Sequence, residues 1–168
     1  GNTLTWSASS GATSYEYCFD TSPDDTCSTW TGGSSGVSLP ALNYGNTYYW
    51  HVRAAYLGTY TYSDAGPTAF YGFSTSPGPF TKTSPINNTQ GLAVTGVSLT
   101  WGSSAGASGY EYCYNTSDSC VSWIPVSNTN VSLPTLVYGT TYFWHVRSTY
   151  AGAYTYADGS LSSRWTFL

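Results

Sequence analysis

The sequence predicts an all-β protein built from two tandem sandwiches, and three observations carry that prediction. A long segment recurs: TYYWHVRAAYLGTYTYSDAG, starting at Thr47, returns as TYFWHVRSTYAGAYTYADGS, starting at Thr141. Within such segments residues alternate at period two, and no stretch sustains a helical period. Turn-rich segments such as SASSGAT, SPDD and LNYGN interrupt the alternation at the spacing of a sandwich.

The repeat sets the domain count. Trp50 and Trp144, like Asp64 and Asp158, are about 94 residues apart, and Trp6 with Trp101 and Cys27 with Cys120 recur at nearly that interval. The small drift falls between matched blocks, as loop insertions in two copies of one domain would leave it. Units of this size can fold around their own cores. The linker STSPGPFTKTSP divides the chain into a first domain over residues 1–76 and a second over 77–168. Being short and stiffened by proline, it is expected to hold the domains end to end.

Strands are expected, in order, at NTLTW, SYEYCFD, GVSLP, TYYWHVRA and AFYGFS in the first domain. Their counterparts are VSLTW, YEYCYN, NVSLP, TYFWHVRS and RWTFL in the second. In TYYWHVRA, alternation turns Tyr48, Trp50, Val52 and Ala54 to one side and Tyr49, His51 and Arg53 to the other. The second copy sets Tyr142, Trp144, Val146 and Ser148 against Phe143, His145 and Arg147. The first set is expected in the core and the second on the outward face.

The order L-T-W, then Y-E-Y, then S-L-P-x-L-x-Y-G-x-T-Y-x-W-x-V-R resembles a fibronectin type III domain over nearly the whole chain. That resemblance implies a core tryptophan on strand B, matched by Trp6 and Trp101. It also implies a leucine before a Gly-Thr turn, matched by Leu42 and Leu136. A tyrosine opening strand F, matched by Tyr48 and Tyr142, would tie down the E–F corner through its hydroxyl. The Y-W-H-V-R wording with a cysteine pair is similar to repeats of large secreted bacterial surface proteins. The expected fold is therefore two tandem fibronectin type III-like β-sandwiches, the first lacking its strand A. The second domain has a leading segment, PFTKTSPINNTQGLAVTG, ahead of VSLTW, whereas Gly1 aligns with Gly96. Either the boundary of the chain falls there, or the first domain has an open edge that another molecule completes.

Composition excludes several function classes. Only 7% of residues are charged, the formal net charge is −4, and the four basic residues form no run, so nucleic acid is not an expected partner. No apolar stretch approaches the roughly 20 residues that span a bilayer, so no membrane insertion is expected. The cysteines come as one pair per repeat, Cys18 with Cys27 and Cys113 with Cys120, which reads as one disulfide per domain. Zinc would need ligands from both domains, and neither pair has C-x2-C spacing. Disulfides imply oxidising conditions, hence an extracellular or cell-surface location.

The candidate chemical groups each have a plainer reading. His51 and Arg53, with His145 and Arg147, are expected to form an outward cross-strand cluster with Glu16 and Glu111. No second carboxylate or oriented nucleophile accompanies them, so no catalytic residue is assigned. Asp20, Asp24 and Asp25 in DTSPDDTC could hold Ca²⁺, but NTSDSC in the other copy lacks two of these carboxylates, and a solvated loop is preferred. No phosphate-binding loop, dinucleotide fingerprint or HExxH motif occurs, and no metal or cofactor is implied. Tyr56, Tyr60 and Tyr62, matched by Tyr150, Tyr154 and Tyr156, could stack on sugars or make protein contacts, and are expected chiefly to pack. N-x-S/T occurs at Asn87, Asn115 and Asn130, which would be glycan sites in a eukaryotic host.

The expected function is a non-catalytic extracellular structural protein, a fibril subunit or a segment of a tandem-repeat surface array, assembled by strand complementation. Its expected partners are copies of itself or neighbouring repeats. The alternative is a carbohydrate-binding or adhesive accessory module of a secreted protein, with polysaccharide as partner.

Overall fold

Period-two segments become strands where a second layer covers their apolar side. The computed structural model describes residues 2–168, and the chain divides between Thr75 and Ser76 into two compact units. Unit 1 contains β1 (Thr3–Leu4), β2 (Ser14–Asp20), β3 (Thr31–Gly32), β4 (Val37–Ser38), β5 (Thr47–Tyr56), β6 (Thr59–Tyr62) and β7 (Tyr71–Ser74). Unit 2 contains β8 (Lys82–Ser84), β9 (Ser98–Trp101), β10 (Gly109–Asn115), β11 (Ile124–Val126), β12 (Asn130–Ser132), β13 (Tyr142–Tyr150), β14 (Ala153–Tyr156) and β15 (Trp165–Phe167).

Each unit is a fibronectin type III-like β-sandwich with antiparallel pairing throughout its named strands. In unit 2 one sheet runs β11–β10–β13–β14, with β15 on the first half of β13, and the other runs β12–β9–β8. Unit 1 repeats the larger sheet as β3–β2–β5–β6 with β7 on β5, but its smaller sheet is only β1–β4. Among the described residues unit 1 has no strand corresponding to β8. The hairpins β5–β6 and β13–β14 turn through Leu57-Gly58 and Ala151-Gly152, all four at positive φ. That twist matches antiparallel strands and favours glycine at the second position.

The tyrosine corner is present in both units. The Tyr48 hydroxyl accepts a hydrogen bond from the Asn43 N–H at 3.0 Å, and that of Tyr142 accepts from Val137 N–H at 3.1 Å. A second tie recurs at the other end, where Tyr15 and Tyr110 accept from the amides of Ser9 and Ser104.

The two cores differ in closure. In unit 2, Leu99, Trp101, Tyr110, Trp144, Val146 and Phe80 are all buried in one cluster. In unit 1 Leu4, Tyr48, Val52 and Ala54 are buried, but Trp6, Tyr15 and Trp50 keep partial exposure. The expectation of a core tryptophan therefore holds at Trp101, 4% exposed, and is corrected at Trp6. The cause is the missing cover: Phe80, on the segment leading into β8, packs edge-on against Tyr110, with their centroids 5.7 Å apart.

A second correction concerns the outward face. His51 and His145 are each 0% exposed rather than solvated. Alternation does turn them away from the sandwich core, but the other side of the sheet carries its own cover. A tryptophan and a tyrosine lie against each ring, and the disulfide lies beside it.

Candidate functional site

On the outer face of the larger sheet, each cross-strand register sets a cysteine opposite a histidine: Cys18 faces His51, and Cys113 faces His145. The disulfides Cys18–Cys27 and Cys113–Cys120 close the loops leading to β3 and β11. The loop after each bridge delivers a tryptophan. Trp30 lies 6.2 Å from the His51 ring and 5.9 Å from Tyr62; Trp123 lies 6.2 Å from His145 and 5.9 Å from Tyr156. Tyr62 and Tyr156 in turn stack on the histidines.

The arginine next along β5 and β13 is held on three sides. Arg53 Nε donates to Glu16 Oε2 at 2.7 Å, and its guanidinium lies 4.1 Å from the Trp30 ring and 3.8 Å from Tyr60. Arg147 repeats this with Glu111 at 2.7 Å, Trp123 at 4.3 Å and Tyr154 at 3.9 Å. Planar guanidinium groups stack on aromatic faces while keeping their in-plane hydrogen bonds. The expected cluster thus contains Glu and Arg but not His.

The histidines are tied into structure instead. His51 Nε2–H donates to the Gly66 carbonyl at 2.9 Å, leaving Nδ1 to accept from the Ser63 hydroxyl at 3.0 Å. His145 Nε2–H donates to the Ser160 carbonyl at 2.8 Å. Its Nδ1 accepts from Lys82 Nζ at 3.2 Å, because Ala157 stands where unit 1 has Ser63. Burial, then the Lys82 charge, pushes the His145 pKa down to about 4. Neither imidazole has a nitrogen left to take a proton from a substrate.

Lys82, the chain's single lysine, is the most deeply held charge. Its side chain is 0% exposed; Nζ lies 2.6 Å from Asp158 Oδ2 and donates to the Ser163 carbonyl at 2.6 Å. His145 Nδ1 and the Ser163 carbonyl take two of the ammonium protons, and Asp158 supplies the counter-charge. Burial pushes the Lys82 pKa down, and Asp158 opposes it. Trp144 and Trp165 flank the amine at 5.7 and 5.1 Å. Period two places Phe80 and Lys82 on one side of the segment, so a single extended stretch supplies both plug and cation. Its backbone is fixed as well. Gly102 N–H donates to Thr81 O at 2.9 Å, Asp158 N–H to Phe80 O at 3.0 Å, and the Ser104 hydroxyl to Gly78 O at 2.5 Å.

Unit 1 has an equivalent groove, and no strand of its described residues lies in it. A groove of about 580 Å³ is lined by Trp6, Ser7, Ser9, Tyr15, Trp50, Asp64 and Tyr71 among others. These match Trp101, Gly102, Ser104, Tyr110, Trp144, Asp158 and Trp165 in the aligned sequence. Asp64 and Asp158 share a left-handed backbone, with φ of 53° and 54°, which aspartate tolerates better than most residues. Asp64 accepts a hydrogen bond from the Tyr71 hydroxyl, which pushes the Tyr71 pKa up. Among the described residues Asp64 has no cationic partner.

The remaining sequence candidates do not converge. Asp20 accepts from the Ser22 N–H and Asp24 from Thr26, so these carboxylates brace their own loop. Among the described residues no three His, Cys, Asp or Glu side chains come together as metal ligands. Asn87 and Asn130 are exposed, while the side chain of Asn115 is bonded within its loop to Ser117 and Ser119. Tyr56, at 52%, is the most exposed of the hairpin tyrosines named above, and Tyr150 is half-buried. What the sequence reading missed is the pairing of Lys82 with Asp158 and the role of Trp30 and Trp123. The available signal was one lysine two residues after a phenylalanine, in phase with it, in the leading segment of the second domain.

Among the described residues no helix is long and apolar enough to cross a membrane. No protein-family profile matches the chain, and no curated protein matches it in sequence. Among solved structures it is similar to the FN1–FN3 domains of chicken CNTN1, with 16% identity and a TM-score of 0.42. That match covers 92% of this chain and 56% of the other.

Proposed function

We propose that the chain is a non-catalytic extracellular structural protein, a fibril subunit or a segment of a tandem-repeat surface array, in which strand addition completes unit 1. The observation that carries this reading is the contrast between two equivalent grooves. The one in unit 2 is filled by Phe80 and Lys82, and the one in unit 1 leaves Trp6 and Trp50 partly exposed. Covering such aromatic surface is favourable at about 25 cal/mol per Å². An unpaired sheet edge beside it templates a strand and fixes its register. A contact of that kind between copies is heterologous and propagates into rings or open filaments. The two disulfides support an oxidising, exported setting. The engagement of both histidines in internal hydrogen bonds supports a non-catalytic role.

The test is to supply the strand. Fusing PFTKTSPINNTQGLAVT ahead of Gly1 should give a protein that stays monomeric under negative-stain microscopy, while the original chain forms filaments. Filaments of the same form from the fused chain would show that another face joins the copies. Isolated particles of the original chain that bind polysaccharide would favour an accessory module instead.

A further inference from the structure

We propose that Lys82 and Asp158 condense into an intramolecular amide in folded unit 2, Lys82 Nζ joining Asp158 Cγ with loss of one water. The proposal stands apart from strand addition and uses groups of unit 2 alone. The ion pair described above is its starting state.

Three features set this pair apart from an ordinary buried ion pair. The first is how the amine is turned. A neutral amine has two N–H bonds and one lone pair. Besides the carboxyl, Nζ meets two acceptors, His145 Nδ1 at 3.2 Å and the Ser163 carbonyl at 2.6 Å. With both filled, the lone pair is left for Asp158. Ala157 stands where unit 1 has Ser63, so no hydroxyl there competes for His145 Nδ1. The second feature is the carboxyl. Oδ2 lies 2.6 Å from Nζ, yet it is buried and accepts no hydrogen bond of ordinary geometry. Its carbon is one bond further on, so the amine stands close to the reacting separation of about 3–3.5 Å. Oδ1 faces the Lys82 N–H at 3.4 Å, a donor for negative charge gathering on that oxygen. The third feature is dryness. The lysine side chain is 0% exposed, Trp144 and Trp165 flank its amine, and burial pushes its pKa down.

The atoms balance without a further reactant. The ammonium first passes a proton to the carboxylate, turning the ion pair into a neutral amine and a carboxylic acid. Removal from water favours that exchange, because both charged forms lose their hydration. The amine lone pair attacks Cγ and forms the C–N bond. His145 Nδ1, committed to this amine and so closed to outside substrates, takes one proton from the nitrogen. The Cγ–Oδ2 bond then breaks, and its electron pair leaves with the oxygen. That oxygen departs as water, carrying the acid's proton and the one returned by His145. Nothing is oxidised or reduced. Holding the two groups in contact supplies an effective concentration on the order of 10⁵–10⁸ M, and the reverse step needs a water that the site excludes. The product closes a ring over residues 82–158, tying β8 to the turn after β14.

The experiment is intact-mass spectrometry of the chain after days folded at neutral pH, then reduced and denatured. The expected mass is one water below that of the sequence. Chain kept in urea, and the Lys82→Arg and Asp158→Ala variants, should keep the full mass. Trypsin should fail to cut after Lys82 and should release residues 54–147 and 148–164 as one branched product. The original chain alone decides the outcome, so poor folding of a variant does not obscure it. Full sequence mass in the original chain overturns the proposal. So does a lost water that leaves Lys82 cleavable, since Asp158 can also close on the Gly159 amide as a cyclic imide. A water lost equally in urea overturns it too, because the fold is then not what joins the pair.

Discussion

The Lys82 ammonium stands 2.6 Å from the Asp158 carboxylate with its side chain wholly removed from water. The equivalent carboxylate in unit 1, Asp64, has no such partner among the described residues. This asymmetry makes the two aspartates respond unequally to the same substitution.

Asp158→Asn keeps the shape and the left-handed backbone but leaves a buried lysine without its counter-charge. A loss of about 2–3 kcal/mol in the stability of unit 2 is expected, part of the Asp158 side chain being solvated. Asp64→Asn should change unit 1 by less than about 0.5 kcal/mol. Denaturant unfolding of the two variants, read by fluorescence, checks the contrast.

Acid should loosen unit 2 through His145. The folded imidazole stays neutral down to about pH 4, whereas the unfolded one takes a proton near its ordinary 6.5. Below 6.5 the unfolded state binds more protons, so this contribution to stability is complete above that pH and declines as pH falls toward 4. The loss is roughly 2 kcal/mol by about pH 5. Urea midpoints at neutral and mildly acid pH should converge in His145→Gln if the assignment is right.

Removing the histidines should cost stability rather than an activity. His51→Ala and His145→Ala each open a cavity under a tryptophan and leave the Gly66 or Ser160 carbonyl without its donor. A cost on the order of 2–4 kcal/mol per unit is expected. A hydrolytic or transferase activity that disappears in variants whose unfolding curves are unchanged would contradict the non-catalytic reading.

Each disulfide closes a short loop, with sequence separations of nine and seven. Replacing either pair by serine should lower the stability of its own unit by about 2–3 kcal/mol. It should also loosen Trp30 or Trp123, which the bridged loop delivers to the histidine. Mass mapping of non-reduced peptides that linked one unit to the other would refute the pairing.

The fold was legible because its signals are local. Alternation in TYYWHVRA and TYFWHVRS, the Tyr48 and Tyr142 corners, and the positions of SYEYCFD and YEYCYN depend on period and turns alone. Thr31–Gly32 and Ile124–Val126 were not legible: these short edge strands are defined by what they pair with, and one contains a proline. The burial of His51 and His145 was hidden for a different reason. Alternation gives the direction of a side chain, but whether that side is wet depends on Trp30 and Trp123, which arrive from loops remote in sequence. The groove needed comparison of two folded copies, since PFTKTS reads as linker until Phe80 and Lys82 are seen in place.

All four basic side chains, Arg53, Lys82, Arg147 and Arg164, are committed to carboxylates, of Glu16, Asp158, Glu111 and Asp118 respectively. Trypsin must draw a lysine or arginine into its own specificity pocket before it can cut. In this chain doing so means first breaking an ion pair and, for Arg53 and Arg147, sliding the guanidinium out from between two rings. Digestion is thereby tied to opening of the fold, and its rate reports how often each sandwich comes apart. Each unit thus offers almost no free basic side chain to a protease of that specificity.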